Sequence, residues 1–260
     1  MAERTLIVLG SGTSMGVPMI GCDCAVCHSA NPHNQRTRPS VLLKLPAGNL
    51  LIDTGPELRL QLIRERIPLV HAVLYTHYHV DHLFGMDDIR VFPAKLKKPM
   101  PIYCTGEVEA VIRQTFSYAF QPPPANPHPG YILPTLDFHR IDQKPFELLG
   151  EIIAPIPLIH GRFDVLGFRI GDMAYCTDVN EIPERSWPLL QGLDTLVLDC
   201  LRPGHSHPSH FGLDEALTVI AKLKPKRTYF THLSHLMDAD HPPKMPEGVA
   251  LSYDGLRIPF

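Results

Sequence analysis

The chain has one tryptophan in 260 residues and no large surplus of charge: 24 Lys plus Arg face 27 Asp plus Glu, a net charge of −3. Non-specific nucleic-acid and anionic-membrane binders draw affinity from excess positive charge, so this balance argues against both classes. Long apolar runs are also missing. The longest, residues 152–159, is broken by Pro155 and Pro157 and falls short of the ~18 residues that span a bilayer. The apolar stretch from Leu6 to Leu9 is too short for a secretory core. No short-period repeat is present. Proline (27) and glycine (18) are frequent enough to expect many turns but not disorder. With 44% hydrophobic residues the chain can bury a sizeable core. Six cysteines without a secretory signal lead us to expect a reducing, cytoplasmic location, where thiols bind metals or pack in cores.

The coarse reading alternates strands and helices in two halves. Strands are expected at 5–9, 41–45, 50–53, 71–76 and 102–104, with helices at 57–65, 82–91 and 107–116. A proline-dense loop at 121–130 marks the midpoint. Strands follow at 132–141, 146–153, 165–170, 174–177, 195–199 and 228–230, with helices at 184–190 and 213–222. Strands preceding helices in each half suggest stacked sheets inside and helices outside.

The early glycines Gly10, Gly12 and Gly16 read G-x-G-x-x-x-G, followed by Val17 and Pro18 rather than an amphipathic helix. A glycine-rich turn leaving a strand fits better than a dinucleotide site.

What the chain has in excess is histidine, 15 copies, and the densest group is Thr76-His77-Tyr78-His79-Val80-Asp81-His82. In an extended strand exit, residues two apart point the same way, so His77 and His79 can share one cation. Asp81 and His82, past the turn into a helix, face a second. Imidazole and carboxylate suit zinc, manganese or iron. His160, Asp178 and His232 each sit where a strand reading gives way to a loop, the usual place for active-site groups in layered α/β folds. The set supplies five histidines and two aspartates, and Asp178, with two oxygens, can bridge two ions.

These residues resemble the metallo-β-lactamase superfamily. Its H-x-H-x-D-H motif is matched by His77, His79, Asp81 and His82, and its later ligands by His160, Asp178 and His232. Its early, site-supporting aspartate is matched by Asp53 in Leu51-Ile52-Asp53-Thr54-Gly55. The resemblance spans nearly the whole chain. It implies an α/β fold, a four-layer αββα sandwich of two stacked mixed sheets with helices outside, as a single domain over 1–260. His77, His79 and His160 would hold one cation and Asp81, His82 and His232 the other, with Asp178 between them.

Cys22, Cys24 and Cys27 stand at C-x-C-x-x-C spacing in a loop at about 20–38, and three thiolates can wrap one soft ion. This loop resembles the superfamily branch that contains the cyclic-phosphate phosphodiesterase of bacterial phosphonate breakdown. In that branch a histidine three residues after the last site histidine completes a structural zinc, a position filled here by His235; His28 or His33 is an alternative fourth ligand. His210, in Ser209-His210-Phe211-Gly212, resembles a histidine beside the substrate phosphate, with His205 and His207 as alternatives. Cys104, Cys176 and Cys200 read as core thiols. Arg36 and Arg38 read as surface residues or phosphate contacts.

The resemblance implies a metal-dependent phosphodiesterase acting on small, cyclic ribose or nucleotide, diesters through water ionised by two divalent ions (Zn or Mn), with one structural Zn. Asp81 and His210 are the catalytic candidates, and Asp53 orients a ligand histidine. The expected partner is a small-molecule phosphodiester, with no membrane and no nucleic acid, and a homodimer is what the branch suggests. The alternatives are a thioesterase, a lactonase or a tRNA 3′-end nuclease on the same fold, or a non-catalytic accessory protein of pyrroloquinoline quinone synthesis.

Overall fold

Several strand segments are apolar at consecutive positions, as in Leu6-Ile7-Val8-Leu9 and Val41-Leu42-Leu43, all fully buried. Successive side chains of a strand face opposite sides of a sheet, so such runs need cover on both faces. The computed structural model, which describes residues 4–122, 133–204 and 207–260, shows how that cover is built. In chain order the first half runs β1 (Thr5–Gly10), β2 (Ser40–Leu45), β3 (Gly48–Ile52), α1 (Leu58–Arg64), β4 (Ala72–Leu74), α2 (Val80–Leu83), α3 (Phe92–Leu96), β5 (Met100–Cys104), α4 (Gly106–Thr115) and β6 (Leu136–Arg140). The second runs β7 (Phe146–Leu148), β8 (Glu151–His160), β9 (Phe163–Ile170), β10 (Met173–Cys176), β11 (Thr195–Asp199), α5 (Leu213–Leu223), β12 (Arg227–Thr231), β13 (Val249–Leu251) and β14 (Arg257–Pro259).

The strands form two seven-stranded mixed sheets, ordered β14-β1-β2-β3-β4-β5-β6 and β13-β12-β11-β10-β9-β8-β7. Three apolar clusters define the layers. Leu6, Val8, Val41 and Leu43 from one sheet meet Phe168, Tyr175 and Val197 from the other. The alternate residues Ile7, Leu9 and Leu42 turn outward to Leu58 of α1 and to Val108 and Ile112 of α4. On the far side, Leu196, Leu198 and Phe230 pack on Ala216 and Val219 of α5. This is the expected αββα sandwich. Among the described residues, no helix is long and apolar enough to cross a membrane.

The structure differs from the sequence reading in places with local causes. The strand expected over 146–153 is a hairpin, because Leu149 (φ 52) and Gly150 (φ 79) turn the chain between β7 and β8. Pro155 and Pro157 lie inside β8. That strand pairs with β7 only through Ile153, and the next bridge on that edge is at Ile159, so at 155 and 157 no strand partner needs the missing N–H groups. The helix expected over 82–91 is the short α2 followed by a 3-10 segment, Met86–Val91. Gly85 interrupts it: its N–H donates to Thr54 O at 2.9 Å, and an added Cβ would lie 2.1 Å from Gly55 O. Strands β13 and β14, three residues each, went unread. The loop expected over 121–130 lies mostly outside the described residues.

Candidate metal centre

The parallel strands β3, β4, β10, β11 and β12 deliver their C-terminal exits to one rim, and every histidine and aspartate singled out above for a dinuclear site gathers there. Three of the exits bend sharply. Asp53 (φ 63), Asp178 (φ 52) and His232 (φ 60) hold left-handed backbone that non-glycine residues rarely adopt. Such geometry costs roughly 1–3 kcal/mol each and persists where surrounding structure imposes it.

Two groups converge: His77, His79, His160 and Asp178, and Asp81, His82, His232 and Asp178, with one ligand atom from each residue within 4.8 Å of the others. Asp178 belongs to both. Its Oδ2 lies 3.9 Å from His77 Nε2, 3.8 Å from His160 Nε2 and 3.3 Å from His232 Nε2, while its Oδ1 lies 3.1 Å from His82 Nε2. Asp81 Oδ2 is 3.5 Å from both His82 Nε2 and His232 Nε2.

The donor set fits two divalent cations. The Nε2 atoms of His77, His82 and His232 are buried without a hydrogen-bond partner, a costly state for a polar atom unless something else satisfies it. Burial drives His77, His79 and His160 toward the neutral imidazole that ligates metals. His82 goes the other way. Burial opposes its charge, yet Asp178, Asp81 and Asp53 outweigh burial and raise its pKa well above the ordinary range. A potential able to hold a proton on a buried imidazole favours a cation equally.

The candidate donors are themselves held. His82 Nδ1 donates to Asp53 Oδ2 at 2.7 Å, and Asp53 also accepts from Thr76 N and Thr76 Oγ1, each at 2.8 Å. His160 Nδ1 donates to Ser209 O at 2.6 Å. Each contact places the proton on Nδ1 and leaves Nε2 to face the centre.

His210 stands beside the centre, its ring stacked on His232 at 4.4 Å and edge-on to His160 at 4.6 Å. Its Nδ1 bonds Asp199 Oδ2 at 2.8 Å. Burial opposes the charge, but Asp199 overrides it, with help from Asp178 and Asp81, and the pKa rises to about 9. Asp199 was missed in the sequence, although it ends β11 as Asp53 follows β3 and Asp178 follows β10, a pattern that could have flagged it. His207 is hydrogen-bonded to Ser209 Oγ at 3.1 Å, near His210; His205 lies outside the described residues.

The second group is Cys22, Cys24, Cys27 and His235. His235 Nδ1 lies 3.1 Å from Cys22 Sγ and 3.4 Å from Cys24 Sγ. The alternatives fall elsewhere: exposed His28 faces Asp23, and His33 stacks on Tyr253 at 3.9 Å. A hydrogen bond from the Cys27 backbone N–H and the contact with His235 lower the Cys24 thiol to about 6, while burial raises Cys27 to about 11. Arg36 corrects the surface reading. Only 2% exposed, it donates to His33 O, Asn34 Oδ1 and Ser234 O, fastening the cysteine loop to the segment that carries His232 and His235. Arg38 pairs with Glu57 at 2.7 Å. Cys104, Cys176 and Cys200 are buried, as expected of core thiols. Gly10 and Gly12 allow a close backbone approach, since an added Cβ would lie 1.9 Å from Arg38 O and 2.7 Å from Arg36 O respectively.

Fold and ligand constellation together define a metallo-hydrolase scaffold, and the beta-lactamase superfamily domain matches residues 48–233. The chain belongs to the metallo-β-lactamase superfamily. Within it, the chain is similar to a solved structure described as a new diphosphatase from the PhnP family, at 43% identity, covering 99% of this chain and 97% of that one with a TM-score of 0.90. It is also 36% identical over 253 residues, 96% of this chain, to a protein of Porphyromonas gingivalis named octanoyltransferase, of which it spans about half the length (50%). Zinc-bound PqqB from Methylobacterium extorquens shares the fold at 19% identity, covering 98% of this chain and 99% of that one, with a TM-score of 0.76.

Proposed function

We propose that this chain is a metal-dependent phosphodiesterase acting on small, cyclic ribose or nucleotide, diesters. The observation that carries the reading is one carboxylate, Asp178, shared by two histidine-aspartate groups, with the Asp199–His210 pair against them. Similarity to a PhnP-family diphosphatase supports hydrolysis at phosphorus.

His77, His79 and His160 would hold one divalent ion and Asp81, His82 and His232 the other, with Asp178 touching both. Bound zinc or manganese would lower the pKa of water toward neutrality and offset charge on the phosphoryl oxygens. Asp53 and Ser209 O keep His82 and His160 in the ligating tautomer. Asp81 sets the charge of its half of the centre; burial opposes ionisation, but His82 and His232 hold its carboxyl well below the ordinary range. Water oxygen bonds phosphorus and the phosphorus–oxygen bond to the released arm breaks. The departing oxygen takes a proton from His210, the proton given up by water passes to solvent, and solvent later reprotonates His210. Cys22, Cys24, Cys27 and His235 would hold a structural zinc that ties the loop to the rim. The substrate partner is thus a small molecule rather than a nucleic acid or membrane, and six free thiols favour a reducing cytoplasm.

The test is metal content per chain with turnover of bis-p-nitrophenyl phosphate, nucleoside 2′,3′-cyclic phosphates and an acyl thioester. Three metals and diester turnover are expected; fully loaded protein inert to every diester overturns the reading. One observation favours a second reading, acyl-thioester hydrolysis: the identity to half of a protein named octanoyltransferase. Turnover of the thioester alone would select it.

A further inference from the structure

The outer face of the first half carries a cavity that takes no part in the metal centre. About 660 Å³ in volume, it lies between α1, with the chain leaving it, and the segment from Asp88 to Lys95. It shares no lining residue with the cavities that include Asp81 or His210. Its floor is Leu62, Ile67 and Phe92, at most 9% exposed and packed into the apolar cluster beneath the helices. Its lips are Ile63 and Val91, 58% and 55% exposed. Apolar side chains left in water around a groove of this size mark a surface that takes a partner.

Four cations line the same groove, Arg59, Arg66, Arg90 and Lys95, against one carboxylate, Asp88. The chain as a whole carries −3, so this positive charge is a local concentration. Arg90 is paired with Asp87, and Lys95 Nζ donates to Pro68 O at 2.9 Å, which ties α3 to the chain leaving α1. Arg59 and Arg66 are exposed and pair with no carboxylate among the described residues.

The spacing of these groups selects the occupant. Arg59, Leu62, Ile63 and Arg66 stand at i, i+3, i+4 and i+7, with Arg66 just past the end of α1, and all four line the groove. Two helical turns set the arginines roughly 10 Å apart with apolar residues between them. A small organic anion engages one arginine and leaves the other idle. A bilayer surface reaches Ile63 and Val91 but not the recessed floor. A phosphate backbone pairs with the arginines and leaves the floor and lips uncovered. A helix with an apolar stripe, and carboxylates beside that stripe two turns apart, meets the floor, the lips and both arginines. We infer that this groove docks an acidic amphipathic helix of a partner protein, its apolar stripe on Leu62, Ile67 and Phe92 and its carboxylates toward Arg59 and Arg66. The surface is separate from the metal centre, and the inference stands whichever ester or thioester the centre cleaves.

The experiment titrates the whole metal-loaded protein into fluorescein-labelled synthetic helices of about four turns and reads anisotropy. One peptide has a leucine stripe flanked by glutamates, a second has lysines in place of the glutamates, and a third has alanines in place of the leucines. The first should bind with a Kd of roughly 1–100 μM, at least about tenfold more tightly than either control, and more weakly as salt rises. Arg59→Glu combined with Arg66→Glu should weaken it by about tenfold, and Ile63→Asp by a similar factor. Metal content, Tm and turnover of bis-p-nitrophenyl phosphate should match wild type in these variants, since every changed position is exposed and outside the centre. No preference for the acidic peptide over the lysine peptide, or affinity within about twofold of wild type in the double variant, overturns the inference. It is overturned equally if no helix binds and the same substitutions instead abolish binding to phosphatidylglycerol vesicles, single-stranded DNA or hexyl phosphate, or dissolve a dimer seen by sedimentation.

Discussion

Asp199→Asn isolates what one carboxylate does for His210. The imidazole is 7% exposed and surrounded by histidines, so burial alone holds it neutral. Asp199, at 2.8 Å, is the main reason its pKa stands at about 9 rather than at 6.5. That gap is about 2.5 pH units, roughly 3 kcal/mol of preference for the charged form. The amide keeps the size and one acceptor but loses the charge, so the pKa should fall to about 6.5 or below. At pH 8 the protonated fraction would drop from about nine-tenths to about one-thirtieth. Histidine NMR titration of metal-free protein, assigned with His210→Gln, measures the shift directly. Linkage gives the sign of a second readout. A folded-state pKa above the unfolded value stabilises the fold fully below pH 6.5, and that contribution is lost as pH rises through 9. Across this window the urea unfolding free energy of metal-free wild type should fall by up to roughly 3 kcal/mol more than that of the variant. In metal-loaded protein, kcat should drop for diesters releasing an alcohol and hold for those releasing p-nitrophenolate, which departs without a proton. A titration midpoint within half a unit of wild type, or equal kinetic losses on both leaving groups, would refute the reasoning.

Cys22→Ser should remove one metal equivalent per chain while the other two stay, and destabilise the fold by about 3 kcal/mol or more, roughly 6–12 °C in Tm; elemental analysis and calorimetry check this. Zinc binding to the cysteine group should release at least one proton at pH 7, because burial holds Cys27 at about 11 and a ligating thiol must ionise. Its apparent affinity should therefore rise about tenfold or more per pH unit, and a competition titration with no pH dependence would contradict the geometry. Gly10→Ala puts a methyl 1.9 Å from Arg38 O and 2.6 Å from Gln61 Nε2, backbone and a hydrogen-bonded amide that cannot step aside. A loss of about 3 kcal/mol or a failure to fold is expected, and chemical denaturation within 1 kcal/mol of wild type would show that the loop yields.

The layered architecture was legible in the order of strands and helices, its αββα form came with the resemblance carried by the histidine motif, and strand periodicity explains why the layers are needed. Residues 6–9 and 41–43 are apolar at every step, and only a sheet covered on both faces can bury both parities. What periodicity could not show was what tertiary contacts impose. Gly85 stops α2 because Gly55 O lies where its Cβ would be. Pro155 and Pro157 sit within β8 because its neighbour β7 ends at the register of Ile153. Strands β13 and β14 are three residues each and exist through pairing with β12 and β1. None of these facts is local to the residues concerned.

The site divides along the same line. His77, His79, Asp81 and His82 announce themselves by spacing, since a strand exit aims alternate side chains at one point. His160, Asp178 and His232 were readable only as residues at strand ends, and the rim they share is a property of sheet order. Asp199 offered only its place at the end of β11, and Arg36 offered no signal at all. One acts through His210 and the other through three acceptors on two segments, and both roles exist only once distant strands are neighbours. The same reasoning explains the left-handed backbone at Asp53, Asp178 and His232. Each residue must leave a strand and at once turn its side chain back over the rim, and an extended exit would carry the side chain past the centre. The sandwich absorbs that strain by burying all three side chains, so the local sequence, which offers no glycine at these turns, looks wrong until the ligand geometry is known.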